Sequence, residues 1–304
     1  MSRARQAGYR LLGNRLNYLL HTRPVEWPIV AAHTMVGYFL AVGLPLAFRS
    51  ETFGPALLGT MLWVLCLNGG TLALNSAYDR DEGDVAYLRQ PPPPPPYLAA
   101  FGLGLMLFGL MAALLLPAEY RLVYGLCLGL SILYSVPPFR FKSVPGADWI
   151  INMWGFGTLT PYAGWAATGL PVGTVGRLVL LGFFPLFAAL YPLTQIYQFE
   201  EDTRRGDRTL ALWLGVRRSL VVAQVAAVLG FGFFGAAALQ SRWSGNERWR
   251  WVPLLVALLA WAVVLVPWLL RQQHMTPRDH QHGMYRALMA WAVTDLAIVL
   301  AWAA

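Results

Sequence analysis

The chain has 304 residues, 57% of them hydrophobic and only 12% charged, with a mean hydropathy of +0.48 and a net charge of +8. Soluble domains carry about a quarter charged residues, so this composition excludes an ordinary soluble fold and points to a chain whose solvent is lipid. The basic excess calls for no nucleic-acid partner, because loops facing anionic headgroups account for it.

A hydrocarbon core about 30 Å thick requires about 20 apolar residues per helix. By that measure the sequence divides into about nine spans, at 27–48, 55–78, 97–116, 120–136, 148–170, 177–199, 219–240, 251–270 and 287–303. The predicted fold class is all-α: a polytopic membrane bundle of about nine transmembrane helices. It forms one domain over 27–304 behind a basic cytoplasmic N-terminal segment, 1–26. That segment holds five Arg and no long apolar run, so no cleavable signal is expected in it. With the N-terminus cytoplasmic, most of the 23 Lys and Arg face the cytoplasm, leaving Arg49, Arg121, Arg177, Arg242, Arg248 and Arg250 outside. This positive-inside pattern predicts an N-in, C-out protein, placed in a bacterial inner membrane.

The second span ends in "NSAYDRDEGD" (75–84), which holds Asp79, Asp81, Glu82 and Asp84. Next come six prolines, Pro91 to Pro96, expected to form a polyproline strut of roughly 19 Å into the third span. The fourth span runs into "YSVPPFRFKSVPGADWIIN" (134–152), where Lys142 is the only lysine in the chain. At the end of the sixth span, "QFEEDTRRGD" (198–207) repeats the first acidic segment in register. Asn75 aligns with Gln198, Asp79 with Asp202, Gly83 with Gly206 and Asp84 with Asp207. In each copy the amide and the first aligned acid are four residues apart and share a helix face, and the Gly lets the chain turn so that the last carboxylate comes back.

Two oxygen-rich walls facing one cavity suit a hard cation. Mg²⁺ takes one or two carboxylates and completes its shell with water and substrate phosphate. Asp79, Asp84, Asp202 and Asp207 are the candidate metal ligands. Arg204, Arg205 and Arg208 surround the second segment and can pair with carboxylates or with phosphate. Acids at the ends of transmembrane segments are costly and usually functional, which favours a site over solvated loops.

Later elements say less. "HMTPRDHQH" (274–282) has irregular His spacing, a weak metal signature. Cys66 and Cys127 fall inside spans and read as small apolar residues. Tyr134, Trp154, Tyr162, Tyr191 and Tyr197 lie on spans adjoining the expected cavity, where π faces can meet a cation; the competing role for each is packing.

Three stretches together, "NSAYDRDEGD", "YSVPPFRFKSVPGADWIIN" and "DTRRGDRTLALWLG" (202–215), resemble the UbiA superfamily of intramembrane prenyltransferases. The middle one is similar to the loop after the fourth helix in chlorophyll-synthase-like and homogentisate-type members. The resemblance implies nine helices with two Asp-rich motifs at cytoplasmic helix ends and a Mg²⁺-bound isoprenyl diphosphate between them. It makes Asp79, Asp202, Lys142 and Arg140 the candidate catalytic residues, and Asn75, Gln198, Tyr134, Tyr197 and Arg205 candidates for the diphosphate and cavity lining. The chain departs from the family pattern at Gly83, where a third acid is usual and Asp81, Glu82 or Asp84 must substitute. It departs again at Gln198, where the second motif usually opens with Asp, and in "RQPPPPPPYL", which replaces an Arg-Pro segment.

The implied function is ionisation of an isoprenyl diphosphate and transfer of the prenyl group to an aromatic or other electron-rich lipophilic acceptor, at the cytoplasmic face. Cyclisation of the cation onto its own tail is the alternative within the same superfamily. A cation transporter is the alternative outside it, disfavoured because the acids sit at span ends rather than at the bilayer midplane.

Overall fold

A computed structural model describes residues 3–79, 88 and 90–304. The architecture is all-helical. Six helical stretches among the described residues are long and apolar enough to cross a membrane: Phe53–Asp79, Leu98–Leu115, Thr174–Arg204, Leu210–Ser241, Gly245–His274 and Pro277–Trp302. Trp27–Val42 is a shorter apolar helix, Ala118–Ser135 occupies the expected fourth span, and residues 147–166 form the fifth in three pieces.

The helices group around two large cores, beside a small third cluster of Tyr38, Ala47 and Ala56. One gathers Tyr120, Tyr124, Trp63 and Met106 from the first half of the chain. The other gathers Phe183, Phe234, Trp261 and Trp291 from the second half, together with Val36. Lipid tails are as apolar as these side chains, so cohesion comes from close packing, which small residues permit. The tightest seam joins Trp27–Val42 to Thr160–Ala166. A Cβ on Gly37 would fall on the Pro161 carbonyl, and one on Gly164 on the Thr34 carbonyl.

Two stretches depart from α geometry, and both line the space between the halves. Leu62–Asn68 and Met153–Leu159 are π-helical, a geometry frequent at functional sites. They meet where the Trp63 indole donates to the Thr160 hydroxyl at 3.2 Å, while that hydroxyl donates to the Gly155 carbonyl at 3.0 Å. Behind the second π segment lies a buried pair: His33 Nδ1 meets the Asp295 carboxylate at 2.9 Å, and Nε2 meets the Gly157 carbonyl at 3.3 Å. This ties the first apolar helix, the π segment and the last helix together at one point.

The expected polyproline strap carries no helix over Pro91–Pro95. The N-terminal segment fastens it, with Arg5 donating to the Gln90 carbonyl at 2.9 Å and Tyr18 to the Pro96 carbonyl at 2.6 Å.

Candidate active site

A cavity of about 350 Å³ opens between the two halves. Asp79 reaches it as the last residue of Phe53–Asp79. Asp202 and Asp207 reach it from the other half, on either side of a sharp turn. Gly206 takes φ +73°, which a side chain would resist, and the Asp207 amide donates to the Asp202 carbonyl at 3.0 Å. The glycine thus folds the second carboxylate back beside the first, as the sequence predicted for this copy. In the other copy Gly83 and Asp84 lie outside the described residues, so the expected role of Asp84 does too, as do the alternatives Asp81 and Glu82.

The "YSVPPFRFK" loop crosses over the acids. Arg140, at φ +37°, spans both walls: one guanidinium nitrogen lies 3.1 Å from Asp207 and another 3.4 Å from Asp79. Lys142 contacts the second oxygen of Asp79. All three acids and the lysine are buried, and removing one partner from such a pair leaves an uncompensated charge costing about 3–5 kcal/mol. Asn75 and Gln198 line the same cavity. The donor set is oxygen-only and divided between two walls; among the described residues no three His, Cys, Asp or Glu converge on a single point. That arrangement fits Mg²⁺, which needs one or two carboxylates per ion and shares the rest of its shell with phosphate.

Below the acids the lining turns aromatic. Tyr134 and Tyr191 join hydroxyls at 2.8 Å, Tyr191 stacks on Phe187 at 6.1 Å, and Phe187 lies 4.9 Å from Phe156. Tyr197 also lines the cavity. Two aromatic candidates do not. Trp154 is turned outward against Phe184, and Tyr162 donates to Glu119; the helical phase of the broken fifth span, shifted by its π turn, carries both away. The Arg205 side chain lies outside the described residues. In the 274–282 loop, Asp279 and Thr276 form a capping box and His280 accepts from the Trp268 indole at 2.9 Å, so these side chains serve the helix end.

Several site residues escaped the sequence reading. Asp148 is fully buried and accepts from the Gly146 amide at 2.9 Å, the Gln195 amide group at 3.2 Å and the Leu210 amide at 3.2 Å. It pins the Arg140/Lys142 loop to both flanks of the second acidic segment. Its only signal was a lone acid within an apolar run. Arg23, Glu26 and Asn68 also line the cavity. Arg23 read as one more residue of a solvated basic segment, yet it is buried. Burial pushes the Glu26 carboxyl above its ordinary range, against the opposing pull of Arg23 at 3.6 Å.

A helical membrane bundle around a cavity with carboxylates and cations at one end and aromatic faces below defines a membrane-embedded enzyme. The model of the UbiA prenyltransferase family matches residues 30–289, and the chain belongs to that family. It is 27% identical over 294 residues to a probable homogentisate phytyltransferase 2 of the chloroplast from Oryza sativa subsp. japonica, covering 86% of this chain and 73% of the relative. To a lycopene elongase/hydratase from Haloferax volcanii it is 28% identical over 240 residues, covering 75% of each. Among solved structures it resembles a UbiA homolog from Archaeoglobus fulgidus bound to DMAPP and Mg²⁺, with a TM-score of 0.65, 20% identity, and coverage of 93% of this chain and 99% of that one. A digeranylgeranylglyceryl phosphate synthase gives a TM-score of 0.67 at 14% identity, covering 94% and 97%.

Proposed function

We propose that this integral membrane enzyme binds an isoprenyl diphosphate with Mg²⁺ between its two acidic walls and transfers the prenyl group to an electron-rich lipophilic acceptor. The observation that carries the reading is the meeting, in one cavity, of acids from both halves with Arg140 and Lys142 above an aromatic lining. The DMAPP- and Mg²⁺-bound relative supports it.

Asp79, Asp202 and Asp207 would hold the metal, with Asn75 and Gln198 beside them. Mg²⁺, when bound, supplies Lewis-acid neutralisation of the leaving diphosphate. Arg140 and Lys142 donate charge-assisted hydrogen bonds to the diphosphate oxygens and stabilise the negative charge that develops as the allylic C–O bond breaks. Tyr134, Tyr191 and Phe187 present π faces to the allylic carbon, and the closed apolar bundle keeps water from capturing it. The site faces the cytoplasm in this reading, in accord with the distribution of basic residues.

The test is incubation of the full chain in lipid nanodiscs with Mg²⁺ and prenyl diphosphates of graded length, with and without phenolic and polyene acceptors, followed by mass spectrometry. A prenylated adduct that disappears with EDTA and returns with Mg²⁺ is the expected result. Absence of diphosphate release under every condition rejects the reading, and efficient acceptor-free cyclisation replaces transfer with terpene cyclisation.

A further inference from the structure

The first 25 residues carry five Arg and no Asp or Glu, and most of them fold into a hairpin of two helices, Arg3–Leu12 and Leu16–His21. Gly13, at φ +54°, makes the reversal. The helices close on each other at Gly8, where a Cβ would meet the Leu16 side chain at 2.9 Å, and at Tyr9, whose hydroxyl donates to Asn17 at 2.7 Å. The first helix leaves another side open. Ala7 and Leu11, four residues apart, share one face, and both are exposed, Leu11 at 85% and its neighbour Leu12 at 47%. Arg10 stands on the flank of that face and Arg15 in the turn. Both are exposed, and among the described residues no carboxylate pairs with either.

Further contacts give the depth of the hairpin. The Tyr18 ring meets Phe101 edge-on at 5.2 Å, and its hydroxyl donates to the Pro96 carbonyl at 2.6 Å. Phe101 lies in the first turn of the Leu98–Leu115 span, where the chain enters the hydrocarbon core, so the second helix sits at the boundary with the headgroups. The exposed ring of Tyr97 marks the same level, as aromatic residues do at membrane interfaces. Arg5 donates to the Gln90 carbonyl, beyond the far end of the proline strap, which puts the first helix on the headgroup side.

The chemistry of the open face says what covers it. An apolar ridge with cations on its flank, in a segment without a single acid, is the pattern of a helix lying in the plane of a membrane with its apolar side in the acyl boundary. The cations complement phosphate-bearing lipid heads, and the leucines leave water when they enter the bilayer beside them.

We propose that the Arg3–Leu12 helix is an in-plane membrane anchor that recognises anionic lipid headgroups, with Leu11 and Leu12 in the acyl boundary and Arg10 and Arg15 on lipid phosphates. The same hairpin holds both ends of the proline strap, through Arg5 at Gln90 and Tyr18 at Pro96. Seating it on the lipid therefore fixes the strap that joins the first acidic segment to the third span.

The test attaches a nitrobenzoxadiazole label to Leu11→Cys or Gln6→Cys in the full chain, in nanodiscs of phosphatidylcholine alone or mixed with phosphatidylglycerol, and reads quenching by acrylamide. The parent chain, whose Cys66 and Cys127 are buried, gives the labelling background. In the anionic discs the label at position 11 should be shielded while that at position 6, on the opposite side of the helix, stays open. The ratio of shielded to open label at position 11 should fall about tenfold or more when Arg10→Gln and Arg15→Gln are combined, the scale of two cations near an anionic surface; an unchanged thermal midpoint shows that this variant folds. Equal quenching at both positions in both lipids overturns the proposal and leaves the face to a protein partner. Equal shielding at position 11 in the two lipids overturns the recognition of anionic heads, and because that comparison needs no charge variant it decides the question even where the double variant fails to fold.

Discussion

Asp79 is held from two sides, by Lys142 on one oxygen and Arg140 on the other, so single substitutions there read out different functions. Lys142→Ala should weaken diphosphate binding or slow ionisation by about 1.5–3 kcal/mol, one charge-assisted hydrogen bond, measured as kcat/KM for the prenyl diphosphate; unchanged kinetics would return the loop to a purely topological role. Asp79→Asn and Asp202→Asn should each lower turnover about 100-fold or more while circular dichroism stays that of the parent, and near-parental rates in either would reject the metal site. How much of the site was legible depended on spacing. Asp79, Asp202 and Asp207 stood out because acids recur in register after apolar runs, and Lys142 because it is the sole lysine. Arg23 and Glu26 were hidden because one Arg among five in a basic leader carries no positional signal; only the fold turns that segment inward.

At the scale of elements, the seam between Trp27–Val42 and Thr160–Ala166 depends on two positions where backbone meets backbone. Gly164→Ala should force the helices apart and cost about 1–3 kcal/mol as overpacking, read as a lowered midpoint of thermal unfolding in detergent. Gly104→Ala, where a Cβ meets nothing within 4 Å, is the control, and equal effects would deny the seam its role. The His33–Asp295 pair is the other fastening. The His33 ring packs against Phe156, Phe183 and Trp291; His33→Ala removes that packing and the partner of the Asp295 carboxylate and should cost about 3–5 kcal/mol, more than Asp295→Asn, which removes the charge itself. The sequence shows neither feature: His33 sits on a helix that is apolar on every side, and its partner is 262 residues away. The π turns were equally invisible, because a shift of hydrogen bonding from four to five residues leaves the hydrophobic pattern of a buried span intact.

For the whole molecule, hydropathy gave the helical class and the approximate place of the six long apolar helices among the described residues, because about 20 apolar residues in lipid leave the backbone few alternatives to a helix. It could not show that the chain folds as two cores with the acids of each brought to one cavity. That convergence is foreshadowed only by the repeat of 75–84 in 198–207, and the repeat is looser in space than on paper: Asn75 to Asp79 lies within one helix, whereas Gln198 belongs to a 3₁₀ turn preceding Phe199–Arg205. Because both halves contribute to the site, a ligand that bridges them should stabilise the bundle as a unit. Saturation with Mg²⁺ and a prenyl diphosphate at 100 times the dissociation constant should add about 2.7 kcal/mol, seen as one sharpened transition; two separate transitions, with only one shifted, would mean that the halves unfold independently.

The contacts of Arg140 and Lys142 with the acids have a further consequence, since these side chains act as resident counter-ions on a fixed-charge exchanger. If Asp79 holds the metal as proposed, a divalent cation would have to displace Lys142 from it, and the displaced ammonium would be freed next to an incoming anion. Metal and diphosphate would then load as an exchange, each lowering the cost of the other. Lys142→Ala should accordingly move two affinities in opposite directions, tightening Mg²⁺ alone and weakening the diphosphate, as measured by calorimetric titration of each. A variant in which both affinities fall together would show that the lysine holds the acids in place rather than standing in for the metal.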